Sequence, residues 1–137
     1  MVSVQDVDSA KFVGMLKEEL KSQKLVEPTA WSRFVKSGVN KVRPPAQDDF
    51  WYIRSASLLR RLYIDNQVGV SKLRTYYGGR KKSGTHPRHF YKASGNTLRK
   101  ILQQLEKSGL VQKNKEGRKL TSAGVKLLNK VAYQASK

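Results

Sequence analysis

From Asn66 to Leu105 the chain carries no carboxylate, a run of forty residues, and this limits what it can fold into more than its length does. Positive charge in such a run cannot be neutralised by sequence neighbours, so a compact structure must leave it in water or set it against a polyanion. At the centre of the run lies Lys72 to Lys92, KLRTYYGGRKKSGTHPRHFYK, with seven Lys and Arg and the rings of Tyr76, Tyr77, Phe90 and Tyr91. Rings interleaved with cations place stacking faces beside phosphate-binding groups, the pattern of a nucleic-acid grip rather than of a solvated loop.

The excess is global as well as local. Against 28 Lys and Arg stand 10 Asp and Glu, a formal charge of +18, far beyond what solubility requires and strongly attractive to polyanions. Asp6, Asp8, Glu18, Glu19, Glu27, Asp48 and Asp49 all precede the acid-free run. The field is therefore asymmetric, and one basic face is expected to meet a nucleic acid. At 137 residues a single domain, 1–137, is expected, burying about 68% of its unfolded surface. Apolar residues come in short periodic blocks, which points to a soluble protein with no membrane partner. There is no cysteine, which excludes disulfides, zinc ribbons and thiol catalysis. The start MVSVQDVDSAKF has no apolar signal core, so a cytoplasmic address is expected.

Periodicity gives mainly helices. Asp8 or Ser9 caps a first helix with Phe12, Val13, Leu16 and Leu20 as its stripe, fading near Ser22. A short helix with Trp31, Phe34 and Val35 on one side is expected to end at Gly38, followed by an extended connection through Pro44-Pro45. Lys36, Lys41 and Arg43 on that connection can reach phosphates, although scattered loop cations are as often simply solvated. Asp48 and Asp49 stand where a third helix begins and read as N-terminal caps, not as catalytic paired carboxylates. On that helix Trp51, Tyr52, Leu58, Leu59, Leu62 and Tyr63 share an apolar side, while Arg54, Ser57, Arg60 and Arg61 fall opposite. The three arginines are read as forks for phosphate oxygens without acidic partners on their own helix.

A turn at Asn66 to Gly69 leads to a short helix from Ser71, stopped by Gly78-Gly79, and then to a loop as far as Gly95. Ser94 or Asn96 opens a helix with Leu98, Ile101, Leu102 and Leu105 buried, Arg99, Lys100, Gln103 and Gln104 outward, and Gly109 at its end. Leu110 to Lys113 and Arg118 to Thr121 form a hairpin, and Thr121 or Ser122 caps a last helix bearing Leu127, Leu128 and Val131. Helix, turn, helix, helix, hairpin, helix is the order of a winged helix, so the fold class is mainly α with a small β-hairpin wing.

Catalysis finds no support in the residues. His86 and His89 lie three apart but have neither cysteine nor carboxylate nearby to complete a metal site. GGRKKSG lacks the spacing of a phosphate loop and has no apolar strand before it. No nucleophile, base and orienter stand together, so neither an enzyme, a cofactor, a metal nor a small-molecule substrate is expected. The candidate RNA-binding set is Arg54, Arg60, Arg61, Lys72, Arg74, Tyr77, Gly78, Gly79, Arg80, Lys81, Lys82, Arg88, Lys92, Arg99 and Lys100.

The segments DDFWYIRSAS, LRTYYGGRKKSGTHPRHFYKASG and LRKILQQLEKSGLV, in this order, closely resemble the e-type small-subunit ribosomal protein family numbered nineteen, found in archaea and eukaryotes. The resemblance covers essentially the whole chain, least sharply in the first thirty residues. Its most specific piece is Tyr77-Gly78-Gly79-Arg80 followed by Gly84, Pro87 and Phe90. It implies a helical core with a winged-helix arrangement and a β-hairpin, residence in the head of the small subunit, binding to the 3′ major domain of ribosomal RNA beside neighbouring ribosomal proteins, and a role in subunit maturation. The family's basic helix then falls on Arg54 and Arg60, and its RNA-facing loop on Gly78 to Arg88. Phe50 stands where tryptophan is usual and Val42 where glutamate is usual, while the wording LRTYYGGRK is closer to archaeal members. The competing reading is a winged-helix DNA-binding regulator or chromosomal protein, which needs dimer symmetry that no zipper-like helix here offers; the isolated chain is expected to be monomeric.

Overall fold

The computed structural model describes residues 2–137. Helix α1 (Ser9–Ser22) is capped by the Asp8 carboxylate, which accepts from Lys11 N–H, and α2 (Phe50–Asp65) packs along it. A two-residue strand β1 (Gln67–Val68) leads into α3 (Val70–Tyr77), the hairpin β2 (Gly79–Ser83) and β3 (His86–Tyr91), and α4 (Gly95–Lys107). The wing β4 (Val111–Asn114) and β5 (Gly117–Leu120) precedes α5 (Ser122–Ala135), which is capped by Thr121 through Gly124 N–H.

Strands β1, β5 and β4 form one antiparallel sheet with β5 in the middle; Val68 faces Arg118, and Val111 faces Leu120. A wing closed by a strand from between the first two core helices defines the winged helix, here α2, α3 and α4 with β1, β4 and β5. The expected class is thus the observed one, mainly α with a small antiparallel sheet. Phe12, Leu16 and Leu20 of α1, Trp51, Leu58, Leu59 and Leu62 of α2, Leu73 of α3, and Leu98, Ile101, Leu102 and Leu105 of α4 are fully buried together. Each set recurs at helical spacing, which is why the sequence folds into these elements and why this face of each is turned inward.

Three expectations are corrected. The helix expected around Trp31 is only a 3-10 turn, Ala30–Arg33; Trp31 packs edge-on to Trp51 with ring centroids 5.8 Å apart, while Phe34 lies outside the turn and is 78% exposed. Asp49 precedes α2 but its side chain does not cap it; the carboxylate instead bonds Lys17 Nζ at 2.7 Å, tying α2 to α1. The loop from Gly78 to Gly95 is largely a β-hairpin with a two-residue turn at Gly84-Thr85. It pairs only with itself and lies between the second and third helices of the winged-helix core.

Candidate nucleic-acid interface

A lone two-stranded hairpin is marginal in water, so the β2–β3 hairpin depends on its base. Arg74 of α3 donates from Nε to the Ala93 carbonyl at 2.8 Å and accepts the Ala93 N–H on its own carbonyl at 2.9 Å. Gly78 lies so close beneath the returning strand that an added Cβ would come 2.5 Å from the Tyr91 carbonyl oxygen and 2.9 Å from the Phe90 ring. At Gly79 an added Cβ would meet the Asn40 amide nitrogen at 2.6 Å. Both glycines stand in the candidate RNA-binding set, where a bare backbone would let a phosphate come close. In the fold, other parts of the same chain already fill that space.

Beyond the base the hairpin carries bare charge. Arg80 pairs opposite Phe90 and Lys81 opposite His89, with Lys81 Nζ 5.9 Å from the centre of the Tyr91 ring. Arg80, Lys82 and Arg88 are exposed, as are the Phe90 and Tyr91 rings. Lys72 on α3, Lys92 after the hairpin, and Arg99 and Lys100 on α4 are exposed too. The ion pairs among the described residues involve Lys17, Arg61, Arg118 and Lys130, and none of these hairpin, α3 or α4 cations.

The arginines of α2 are differently placed. Arg54 is stacked over the Tyr77 ring at 4.1 Å and near the Phe50 ring at 5.1 Å. Burial lowers its pKa, and burial raises that of the Tyr77 phenol, whose hydroxyl is 2.6 Å from Ser57 Oγ. Tyr77 is thereby covered on a ring face by Arg54 and approached edge-on by Tyr76, with centroids 4.9 Å apart, so it is not an open stacking platform. Arg61 is held by both oxygens of Asp65, at 2.7 and 2.9 Å, and lies 4.4 Å from the Tyr76 ring. The expectation that the α2 arginines lack an acidic partner is therefore wrong for Arg61: Asp65 stands one turn on. Arg60 is half-buried, and its Nε is enclosed with no hydrogen-bond partner. Gln104, expected on the outer side of α4, instead accepts from Trp51 Nε1 at 2.9 Å and from Glu27 N–H, and donates to the Glu27 carbonyl.

The fifteen candidates thus separate. Arg54, Arg61, Arg74, Tyr77, Gly78 and Gly79 make contacts that build the hairpin's platform. The exposed cations Lys72, Arg80, Lys82, Arg88, Lys92, Arg99 and Lys100 hold charge at the surface, with Lys81 and Arg60 partly covered. Lys36 and Lys41, weak candidates in the sequence, and Asn40, not singled out there, line a cleft with Arg80, Lys81, Lys82 and Arg88. Only their charge could have hinted at this, because the contact joins segments some forty residues apart. Among the described residues no group of three or more His, Cys, Asp or Glu could hold a metal, and no helix is long and apolar enough to cross a membrane.

Fold and surface together define a winged-helix protein whose core helices are interrupted by a cation-bearing hairpin. The sequence model described as ribosomal protein S19e matches residues 3–137, and the chain belongs to that family, a structural component of ribosomes rather than an enzyme. It is 44% identical to small ribosomal subunit protein eS19 of Aeropyrum pernix, covering 98% of this chain and 90% of that one. It is 39% identical to the Thermoplasma volcanium protein of the same name, covering 100% and 91%. Small ribosomal subunit protein eS19G of Ascaris suum is 43% identical over 96% of this chain and 90% of its own. Archaeal and eukaryotic relatives thus lie at similar distance, which sets no preference between the two.

Proposed function

We propose that this chain is a structural constituent of the small ribosomal subunit that binds ribosomal RNA in the subunit head, on the 3′ major domain, and supports subunit maturation. It acts as one unit over residues 1–137, beside neighbouring ribosomal proteins in the cytoplasm. The observation that carries the reading is the hairpin with its flanking cations on α3 and α4, exposed and without carboxylate partners. Family membership supports the same conclusion, and so do the relatives' names as small-subunit proteins.

Lys72, Arg80, Lys81, Lys82, Arg88, Lys92, Arg99 and Lys100 contact phosphates, with Arg60 at the edge of the surface, and each contact releases counterions from the RNA. Arg54, Arg61, Arg74, Tyr77, Gly78 and Gly79 serve the interface by fixing the hairpin's direction. The exposed rings of Phe90 and Tyr91 offer faces to unpaired bases. Recognition is by the shape and backbone of folded RNA. If about six to ten phosphates are engaged, affinity for RNA falls by roughly 10³ to 10⁵ between about 50 and 200 mM salt.

Sedimentation of a cell extract through a gradient tests this reading. The chain is expected to travel with small ribosomal subunits at moderate salt. Recovery with chromosomal DNA alone would overturn it in favour of a winged-helix DNA-binding regulator.

A further inference from the structure

The hairpin has a facing wall. Residues 36–42 lie against its base, held by a hydrogen bond from Ser94 N–H to the Ser37 carbonyl at 2.9 Å and by a β-bridge between Gly38 and Ala93. The Asn40 side chain lodges against Gly79, in the space that a Cβ there would occupy. Between this wall and β2–β3 opens a cleft of about 410 Å³ lined by Lys36, Lys41, Arg80, Lys81, Lys82 and Arg88, with Asn40 also in its lining. None of these six cations has a carboxylate partner among the described residues.

Six cations around one gap repel each other, and a loose segment would swing away to relieve the repulsion. Here the backbone contacts at Ser37 and Gly38 hold the wall in place before any ligand arrives. An anion entering the cleft exchanges that repulsion for attraction and has little chain to order, the condition under which binding is strongest for its contact area. The volume lies at the lower end of small-ligand sites, roughly 300 to 1,000 Å³, enough for a length of one strand and too little for a duplex. Phe90 and Tyr91, opposite Arg80 and Gly79 across the hairpin, expose their rings on its two faces. A strand leaving the cleft over either face meets one base-sized stacking surface, which an acidic peptide does not need.

We infer that this cleft takes the sugar–phosphate backbone of a single unpaired RNA strand, with Lys36 and Lys41 contacting its phosphates opposite the hairpin cations and Asn40 fixing the wall. The inference rests on the ribosomal RNA reading above and narrows it: the cleft grips a strand, and the exposed α4 cations Arg99 and Lys100 lie outside it.

The test uses the full chain and three probes: a short oligouridine, a blunt RNA duplex, and a transcribed 3′-domain fragment of small-subunit ribosomal RNA. Lys36→Gln/Lys41→Gln is expected to weaken oligouridine binding about 10-fold at ~100 mM salt and to lower its salt slope by about 1.4, leaving duplex binding within about 2-fold. Arg99→Gln/Lys100→Gln, outside the cleft, is expected to leave oligouridine binding within about 2-fold. Melting curves establish that each variant is folded; if the double variant is not, 4-thiouridine crosslinking of the wild-type chain reads the same contact, expected within residues 36–42. Oligouridine binding unchanged in the cleft variant, crosslinks confined to α4, or displacement of oligouridine by a glutamate-rich peptide of equal charge and higher affinity would each overturn the cleft assignment. Failure of the broader reading looks different: the wild-type chain itself would then show no salt-dependent binding to the ribosomal RNA fragment.

Discussion

On α2, Arg54 lies against the rings of Tyr77 and Phe50 and Arg61 is clamped by Asp65 beside Tyr76, whereas on the hairpin Arg80, Lys82 and Arg88 stand in solvent with no carboxylate near. In sequence both groups are arginine-rich and adjoin aromatic residues. The difference is what already touches each guanidinium. A cation that is desolvated and stacked contributes to the fold through packing and ring electrostatics. One left in water stabilises nothing internally and keeps its full charge for a polyanion. The two regions cooperate, because Tyr77 over Arg54 and Tyr76 over Arg61 belong to α3, the helix from which the hairpin springs.

The largest effect that can break this contrast is expected from the hairpin. Neutralising Arg80, Lys81, Lys82 and Arg88 to Gln should lower affinity for the ribosomal RNA fragment by about 10² to 10³ at ~100 mM salt and leave the melting temperature unchanged, by filter binding and calorimetry. Next comes Gly78→Ala, whose methyl collides with the Tyr91 carbonyl and Phe90 ring; denaturant titration should show a loss of about 1–3 kcal/mol. Arg54→Ala should cost about 1–2 kcal/mol through lost stacking, with only part restored by Arg54→Lys, which lacks the planar group. Asp65→Asn, which loosens the clamp on Arg61 on the partly exposed side of α2, should cost only about 0.3–0.5 kcal/mol.

The smallest effect lies at the α1–α2 contact. Hydrogen bonding to Lys17 holds the Asp49 carboxyl below its ordinary value of 3.8, so this contribution is present above that pH and is lost as pH falls through the folded-state value. Lys17, raised from 10.5 by the same bond, contributes below that pH and loses its part as pH rises through its folded-state value. Lys17→Ala should flatten the acid limb of a stability–pH curve measured by urea denaturation; an unchanged acid limb would show that the pair does not supply it.

How legible these features were in the sequence depended on whether each faced a core. α1, α2, α4 and α5 show a stripe because one side of each is buried, and the wing is marked by its turn. The β2–β3 hairpin gave no alternation since β3 is exposed along its whole length, so no apolar face exists to produce a period of two; Pro87 fits such an edge strand. β1 is two residues long, below any periodic signal. The positive charge of the site was legible as composition. Which cations are free was not, because the partners that cover Arg54 come from α3 as well as from its own helix. The close approach at Gly78 is likewise a contact between β3 and the end of α3.

The division of labour is tested most directly by measuring, on Arg54→Ala and on Arg80→Gln/Arg88→Gln, both the melting temperature and the slope of log affinity against log salt for the 3′-domain RNA fragment. Arg54→Ala should melt lower and keep the wild-type slope in the temperature range where it is folded. The hairpin pair should melt as the wild type does and lose about 1.4 to 1.8 from the slope. An Arg54→Ala chain that melts normally and loses slope as the hairpin pair does would contradict the distinction between the two regions.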